Sequence, residues 1–331
     1  MNLILWTLVL LASVWAAHWG ADQLANPLQK LRKQWGLNEA AGAALVALAT
    51  ASPEIGTNTA SALQGLSDIG LGNLLGSNII SVPVIVGVAY IASQGKTSSF
   101  MKNWSNRKVL QLKSEALSVQ AIPYVVICLL AAILLLPEPW QGLQPIDGWI
   151  MLLVYGIYVG QAILRKRQKR QSVRWQRQEL IVSILGVVVL AGGAYLTVTA
   201  TEKIVEILQI SQILGGLFIT STLSIAPEVF ATWSVAKSGQ VTAATTSVIA
   251  DNTVTMTLAL FPLAMVSLPI KDIQLFSVNL AFVIILGCFY AGFVQWGTPN
   301  YSFSLREVAV LILIYGIYLA VMLFGVFRVL G

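Results

Sequence analysis

The sequence predicts an all-α transmembrane protein: ten helices in two inverted five-helix repeats, with broken helices at the midplane. Three observations carry this. Only 10% of the 331 residues are charged, against roughly 25% in soluble domains, and the mean hydropathy is +0.77. The chain divides into long apolar stretches with little left between them. It also repeats a short polar pattern at one fixed distance.

A spanning helix needs roughly 20 mostly apolar residues. Stretches of that kind lie at 2–24, 38–65, 68–93, 116–136, 146–164, 179–201, 211–237, 240–268, 274–296 and 304–329. They are too long, and too little alternating, for the strands of an outer-membrane barrel, and they leave no room for a sizeable soluble domain. The first contains Ala16 and Ala17, small residues like those at a signal-peptide cleavage site. Met1–Trp6 carries no Lys or Arg, which the start of a signal peptide normally has, so the stretch is read as a spanning helix. Cys128 and Cys288 lie inside apolar runs with no CxxC spacing and are read as small packing residues.

The net charge of +6 is not a nucleic-acid signature, because its distribution follows the helices. Basic residues gather after every odd-numbered stretch: Lys30, Arg32 and Lys33; Lys96, Lys102, Arg107, Lys108 and Lys113; Arg165 to Arg177; Lys237; and Arg306. These make 17 of the 20, leaving Lys203, Lys271 and Arg328 for the other side. The positive-inside rule makes the first set cytoplasmic and puts both termini on the non-cytoplasmic side. The run Arg165–Arg177 is read as a topology signal; binding of anionic lipid, or a regulatory segment, is the alternative.

Compared with itself, the chain shows an internal repeat. A shift of 174 residues takes Thr50-Ala51-Ser52-Pro53-Glu54 to Ser224-Ile225-Ala226-Pro227-Glu228, Gly76-Ser77-Asn78 to Ala250-Asp251-Asn252, and Ser81 to Thr255. Five helices per half is an odd number, so the second half enters the bilayer from the opposite side. Inverted repeats of this kind are common in secondary transporters. The halves are 1–164 and 179–331, joined by a basic cytoplasmic linker at 165–178.

Glu54, Glu228 and Asp251 lie deep in apolar stretches, where a charge costs at least ~2.5–3.5 kcal/mol. Each Glu follows a proline, Pro53 or Pro227, which interrupts the ladder of backbone hydrogen bonds. Hydroxyls of Thr50, Ser52 and Ser224 surround the breaks, and freed carbonyls there can coordinate a cation. Gly72 and Gly76 make a small face for close helix approach. Ser77 and Ser81, like Asp251 and Thr255, share a helix face four residues apart. Bringing the halves together would set three carboxylates among hydroxyl and amide oxygens. Such an all-oxygen site suits a hard cation such as Ca²⁺, and the lack of His or Cys argues against Zn²⁺ or Cu⁺. The competing reading of Pro-Glu is an ordinary helix start, with the acid on the positive end of the dipole. Its recurrence at matching rank in both halves argues against that. Asn78 and Asn252 suit either ion ligation or interhelical hydrogen bonding. His18, the single histidine, is read as a satisfied bundle residue rather than a proton relay, and Asp68 as a cap at the start of the third helix.

These stretches resemble the cation/Ca²⁺ exchanger superfamily, specifically the sodium/calcium exchanger membrane region, whose α-repeats carry G-T-S-x-P-E and G-N-x-x-G-S-N. The first repeat is matched by Ala49–Glu54 and Gly72–Asn78, and the second more loosely by Ser224–Glu228 and Ala250–Asn252. The resemblance implies ten helices in two inverted repeats, with Glu54 and Glu228 as central Ca²⁺ ligands. Thr50, Ser77 and Ser224 would complete the Ca²⁺ and Na⁺ sites, and helices 1 and 6 would slide across the rest to give alternating access. The chain departs from the family at Ala51 and Ile225, where Ser is frequent, and at Ser81 and Thr255, where Asn or Asp is frequent. Asp251 stands where the second repeat usually has Ser, so the acid has moved one turn along its helix. Na⁺ is the expected counter-ion and H⁺ the alternative, since carboxylates brought close together hold a proton more tightly.

The expectation is therefore an antiporter exchanging Ca²⁺ for Na⁺ (or H⁺), with transported ions bound transiently and no resident cofactor. A channel would need an open pore, usually built by symmetric subunits. An enzyme is not expected: no HExxH, paired-aspartate or Ser/His/Asp arrangement is present. The lipid bilayer is the one macroscopic partner implied, and nothing points to a protein partner.

Overall fold

The computed structural model describes residues 2–36, 46–94, 109–112, 117–137, 141–164, 172–297 and 301–326. The basic positions Lys96 to Lys108, Lys113, Arg165–Arg170 and Arg328, and the start of the second predicted span at 38–45, lie outside them. Among the described residues, seven helices are long and apolar enough to cross a membrane. They are α1 (Leu3–Trp35), α3 (Ser67–Ser93), α6 (Arg177–Leu208), α7 (Gln212–Lys237), α8 (Val241–Met265), α9 (Ile273–Trp296) and α10 (Leu305–Val326). Between them come α2 (Ser52–Leu63), α4 (Ile122–Leu135) and α5 (Pro145–Leu164).

Most predicted stretches coincide with helices to within a few residues; α6, expected at 179–201, runs on to Leu208, and α1 overruns further. It runs on through Pro27 to Trp35 because its Leu-, Gln- and Lys-rich tail continues to favour helix. It stops at Gly36, whose φ of 65° suits glycine. Arg32 and Lys33 lie in its last turn, where cations complement the carbonyl end.

Among the described residues, four short strands also depart from the all-α expectation. Val109–Gln111 (β1) pairs antiparallel with Ser302–Ser304 (β4), and Gly142–Leu143 (β2) with Leu268–Pro269 (β3). Each gives backbone groups between helices a partner they would otherwise lack.

The chain forms two compact units, each drawing on both halves of the sequence. The first comprises 1–77, 133–224 and 250–270, the second 78–132, 225–249 and 271–331.

In the first unit α1 and α6 lie against each other along their length. A Cβ on Gly193 would come 2.7 Å from the Ala17 nitrogen, and one on Gly20 2.8 Å from the Leu190 nitrogen, so only glycine permits this approach. Thr197 donates to Ser13 across the buried seam at 3.1 Å. At one end Lys30 pairs with Glu179, and Trp175 donates to Gln34 at 3.2 Å. Gly72, Gly76 and Gly216 bring α3 equally close to α7. A Cβ on Gly216 would fall on the carbonyl oxygen of Ile69, and one on Gly76 2.8 Å from Ser221 Cβ. Lipid gives apolar side chains little reason to cluster, so small residues that maximise backbone contact hold such helices together. The outward faces are correspondingly apolar. Ile4, Leu8 and Trp15 on α1 and Ile184, Val188 and Tyr195 on α6 are exposed, the inverse of a soluble fold.

The second unit is organised by tyrosines. Tyr124, Tyr290 and Tyr318 are among its largest fully buried side chains, and each hydroxyl finds an interior acceptor, as a phenol in an apolar setting must. Tyr124 donates to Asn78 Oδ1 at 3.1 Å, Tyr318 to Asn279 Oδ1 at 2.8 Å, and Tyr290 to the Thr245 carbonyl at 3.3 Å.

Candidate cation site

The site is built around an interrupted helix. The chain is helical over 46–50, turns at Ala51, and resumes as α2 at Ser52. Pro53 has no N–H to give the Ala49 carbonyl, its partner in a regular helix. The Ser52 hydroxyl takes that place, donating to Ala49 O at 2.7 Å. Glu54 lies in the first turn of α2 and is buried. If it served only to cap the helix, its carboxylate would accept from the N–H groups exposed there. Neither Oε1 nor Oε2 accepts a hydrogen bond.

The second repeat differs from the sequence expectation. α7 continues through Pro227 without a break, and the irregularity lies upstream in a π-helical turn over Gly215–Thr220. A wider turn absorbs distortion that would otherwise open the helix at the proline.

Within the first unit α2 packs against both α6 and α8. Ala47 and Ala51 pack with Ala250, Val254, Tyr155 and Tyr158 in one apolar cluster. Small alanines on both sides let the helices approach. At the edge of this cluster Thr50 lies beside Asp251, its hydroxyl donating to the Ala47 carbonyl at 3.1 Å. Asp251 Oδ1 is left without a partner, and Asp251 is the charged neighbour of Glu54. Three carboxylate oxygens thus lie buried and bare. Buried acceptors are normally satisfied, and a cation with oxygen ligands would satisfy these.

The other predicted residues divide between the units. In the first, Ser77 donates to Leu74 O at 3.1 Å and Thr255 to Asn252 O at 3.0 Å, both along their own helices. Ser224 and Asn252 are buried. In the second unit Asn78 accepts from Tyr124, Ser81 is buried, and Glu228 is half-buried. Among the described residues no three His, Cys, Asp or Glu side chains cluster as a metal site would. Glu54 and Asp251 are neighbours. His18 hydrogen-bonds the Val14 carbonyl of its own helix through Nδ1, at 2.9 Å, but its Nε2 is buried without a partner, so it is not the fully satisfied residue expected. Asp68 sits in the first turn of α3.

Two residues escaped the sequence reading. Asn73 is fully buried, with neither amide atom hydrogen-bonded, and Asn58 has a bare Oδ1. The spacing of Asn58, four residues beyond Glu54 and eight beyond Thr50, was the available signal.

The chain belongs to the sodium/calcium exchanger protein family, whose model matches residues 5–164 and 179–324. It is 39% identical over 79 residues, 24% of its length, to the sodium/calcium exchanger MaX1 of Methanosarcina acetivorans. It is 24% identical over 196 residues, 56% of its length, to an uncharacterized membrane protein of Methanocaldococcus jannaschii. These matches span 23% and 57% of the two relatives' own lengths. Among solved structures, the fold resembles the H⁺/Ca²⁺ exchanger CAX, with a TM-score of 0.73 and 14% identity over 97% of this chain and 82% of that one. It also resembles the sodium-calcium exchanger NCX_Mj, with a TM-score of 0.64 and 20% identity over 96% of this chain and 99% of that one. The chain is thus a multi-pass helical membrane protein of a cation exchanger family.

Proposed function

We propose that the protein exchanges Ca²⁺ for Na⁺ across a membrane by alternating access. The architecture would be ten helices in two inverted five-helix halves, 1–164 and 179–331, with the 165–178 linker cytoplasmic and both termini on the other side. The observation that carries the reading is the buried pair Glu54 and Asp251, with three oxygens that no protein donor meets. Two carboxylates with hydroxyls alongside suit a divalent hard cation, and a cation is what such an unsatisfied site would take from water. Thr50, Ser52, Ser77, Ser224, Asn252 and Thr255, all in the first unit, would supply the neutral oxygens.

H⁺ as counter-ion is the second reading. It is favoured by the same bare carboxylates, which can take up a proton when the divalent ion leaves, and by the position of Asp251. The test is flux in liposomes loaded with a Ca²⁺ indicator, under a Na⁺ gradient or a pH gradient. Ca²⁺ movement driven by Na⁺ alone supports the first reading, and movement driven by pH alone the second. Ca²⁺ movement driven by neither would overturn both.

A further inference from the structure

The register of the two helices around Glu54 extends the site. Asn58 Nδ2 donates to the Ala259 carbonyl at 2.8 Å, a pair 201 residues apart, and Thr50 lies beside Asp251. The second pair has the same separation, so the segment 50–58 and this part of α8 run in the same direction. One face carries Thr50, Glu54 and Asn58; the facing one carries Asp251, Thr255 and Ala259. Residues four apart lie one above another on a helix. The stripe passes from exposed Thr50 to buried Glu54 to Asn58, which is 0% exposed.

Which end of the Asn58 amide faces Ala259 is settled by chemistry. A carbonyl only accepts, so the NH₂ must meet it and Oδ1 is the other end. That oxygen is buried and has no partner. A tie to Ala259, at the end of the π-turn Thr255–Ala259, needs only a donor. A donor-only group such as an indole N–H would serve there without bringing an acceptor. Asn58 instead adds a fourth bare oxygen one turn beyond Glu54.

We propose that Asn58 Oδ1 is a cation ligand, extending the ion-binding stripe one helical turn deeper than Glu54. The amide supplies a neutral oxygen of the kind Ca²⁺ accepts beside carboxylates. Its bond to Ala259 holds that oxygen in place, as groups behind a metal ligand commonly do. The inference rests on the exchange reading above.

The test compares N58L and N58D in the full-length protein, with wild type and E54Q as controls. Two readouts are used: the Ca²⁺-induced rise in Tm and the KM for Ca²⁺ in liposomes. Both Asn58 variants lose the donor to Ala259, and only N58D keeps an oxygen. A purely structural Asn58 predicts that both lose thermal stability alike and keep wild-type Ca²⁺ affinity. A ligand predicts that they diverge. N58L would lose roughly 10–100-fold in Ca²⁺ affinity, the range seen when one supporting group is removed from a metal site, and N58D would stay at or above wild type. If wild type responds to Ca²⁺, E54Q does not, and the Asn58 variants match each other, the Asn58 assignment is overturned and the exchange reading stands. If wild type itself shows no response to Ca²⁺, both fall.

Discussion

The Tyr124 hydroxyl donates to Asn78 Oδ1 at 3.1 Å, with both residues fully buried in the second unit. Asn78 belongs to the first-repeat motif, where the sequence left ion ligation and interhelical bonding equally open. Its amide oxygen has a protein donor here, whereas Glu54 and Asn58 have bare oxygens. Removing the donor with Tyr124→Phe should cost about 1–2 kcal/mol, the penalty for stranding a buried acceptor. Thermal unfolding in detergent would show it, with the KM for Ca²⁺ unchanged. A large rise in KM at unchanged stability would instead place Asn78 on the ion.

Glu54→Gln and Glu228→Gln keep side-chain shape and remove charge. Each should abolish divalent flux while the protein still elutes as a folded species in size-exclusion chromatography. Removing Glu54's charge should not destabilise the fold, because no donor depends on it; eliminating an unpaired buried charge relieves a desolvation cost. Asp251→Ser should retain Ca²⁺ binding more than Glu54→Gln does and change which gradient drives flux.

Gly192 and Gly193 are neighbours with opposite surroundings. A Cβ on Gly192 meets nothing within 4 Å, whereas one on Gly193 would come 2.7 Å from the Ala17 nitrogen. Gly192→Val should therefore be tolerated, while Gly193→Val forces α1 and α6 apart at a cost of about 3 kcal/mol, the upper range for overpacking. Melting curves of the two variants would check this, and equal melting would contradict the close packing of that seam.

Ser52→Ala leaves the Ala49 carbonyl without the hydroxyl that stands in for the missing N–H of Pro53. The expected loss is about 1 kcal/mol. In Ser52→Ala/Pro53→Ala, the restored N–H can take up the same carbonyl, so the double variant should recover much of that loss. The pair, compared by Tm, separates the role of Ser52 in the helix break from any contact it makes with an ion.

The membrane class and most helix positions were legible because hydropathy over a spanning length is a strong local signal. α3, expected at 68–93, is found at Ser67–Ser93. α1 overran its expected end because apolarity sets where a helix meets lipid, while propensity and capping set where it stops. Proline was read too uniformly. Pro53 begins a new helix after a turn, Pro227 sits inside a continuous one, and four π-turns among the described residues went unseen. The local chemistry of proline is the same at each position, so the packing around it decides whether a helix breaks or widens. The short strands were also invisible, since two or three residues carry no period.

By itself the sequence determined the solvent of this protein, the approximate spans, the repeated Pro-Glu pattern and the acids too costly to bury without purpose. These follow from composition and from spacing along one helix, and both are properties of the chain alone. Only the tertiary structure decided which of those acids are neighbours, that Glu54 and Asp251 keep oxygens no donor satisfies, and that Asn58 shares their face with its amide turned by Ala259. The physical reason is that these facts depend on the register between α2 and α8, segments about 200 residues apart. Close packing of small residues sets that register, and no local pattern records it.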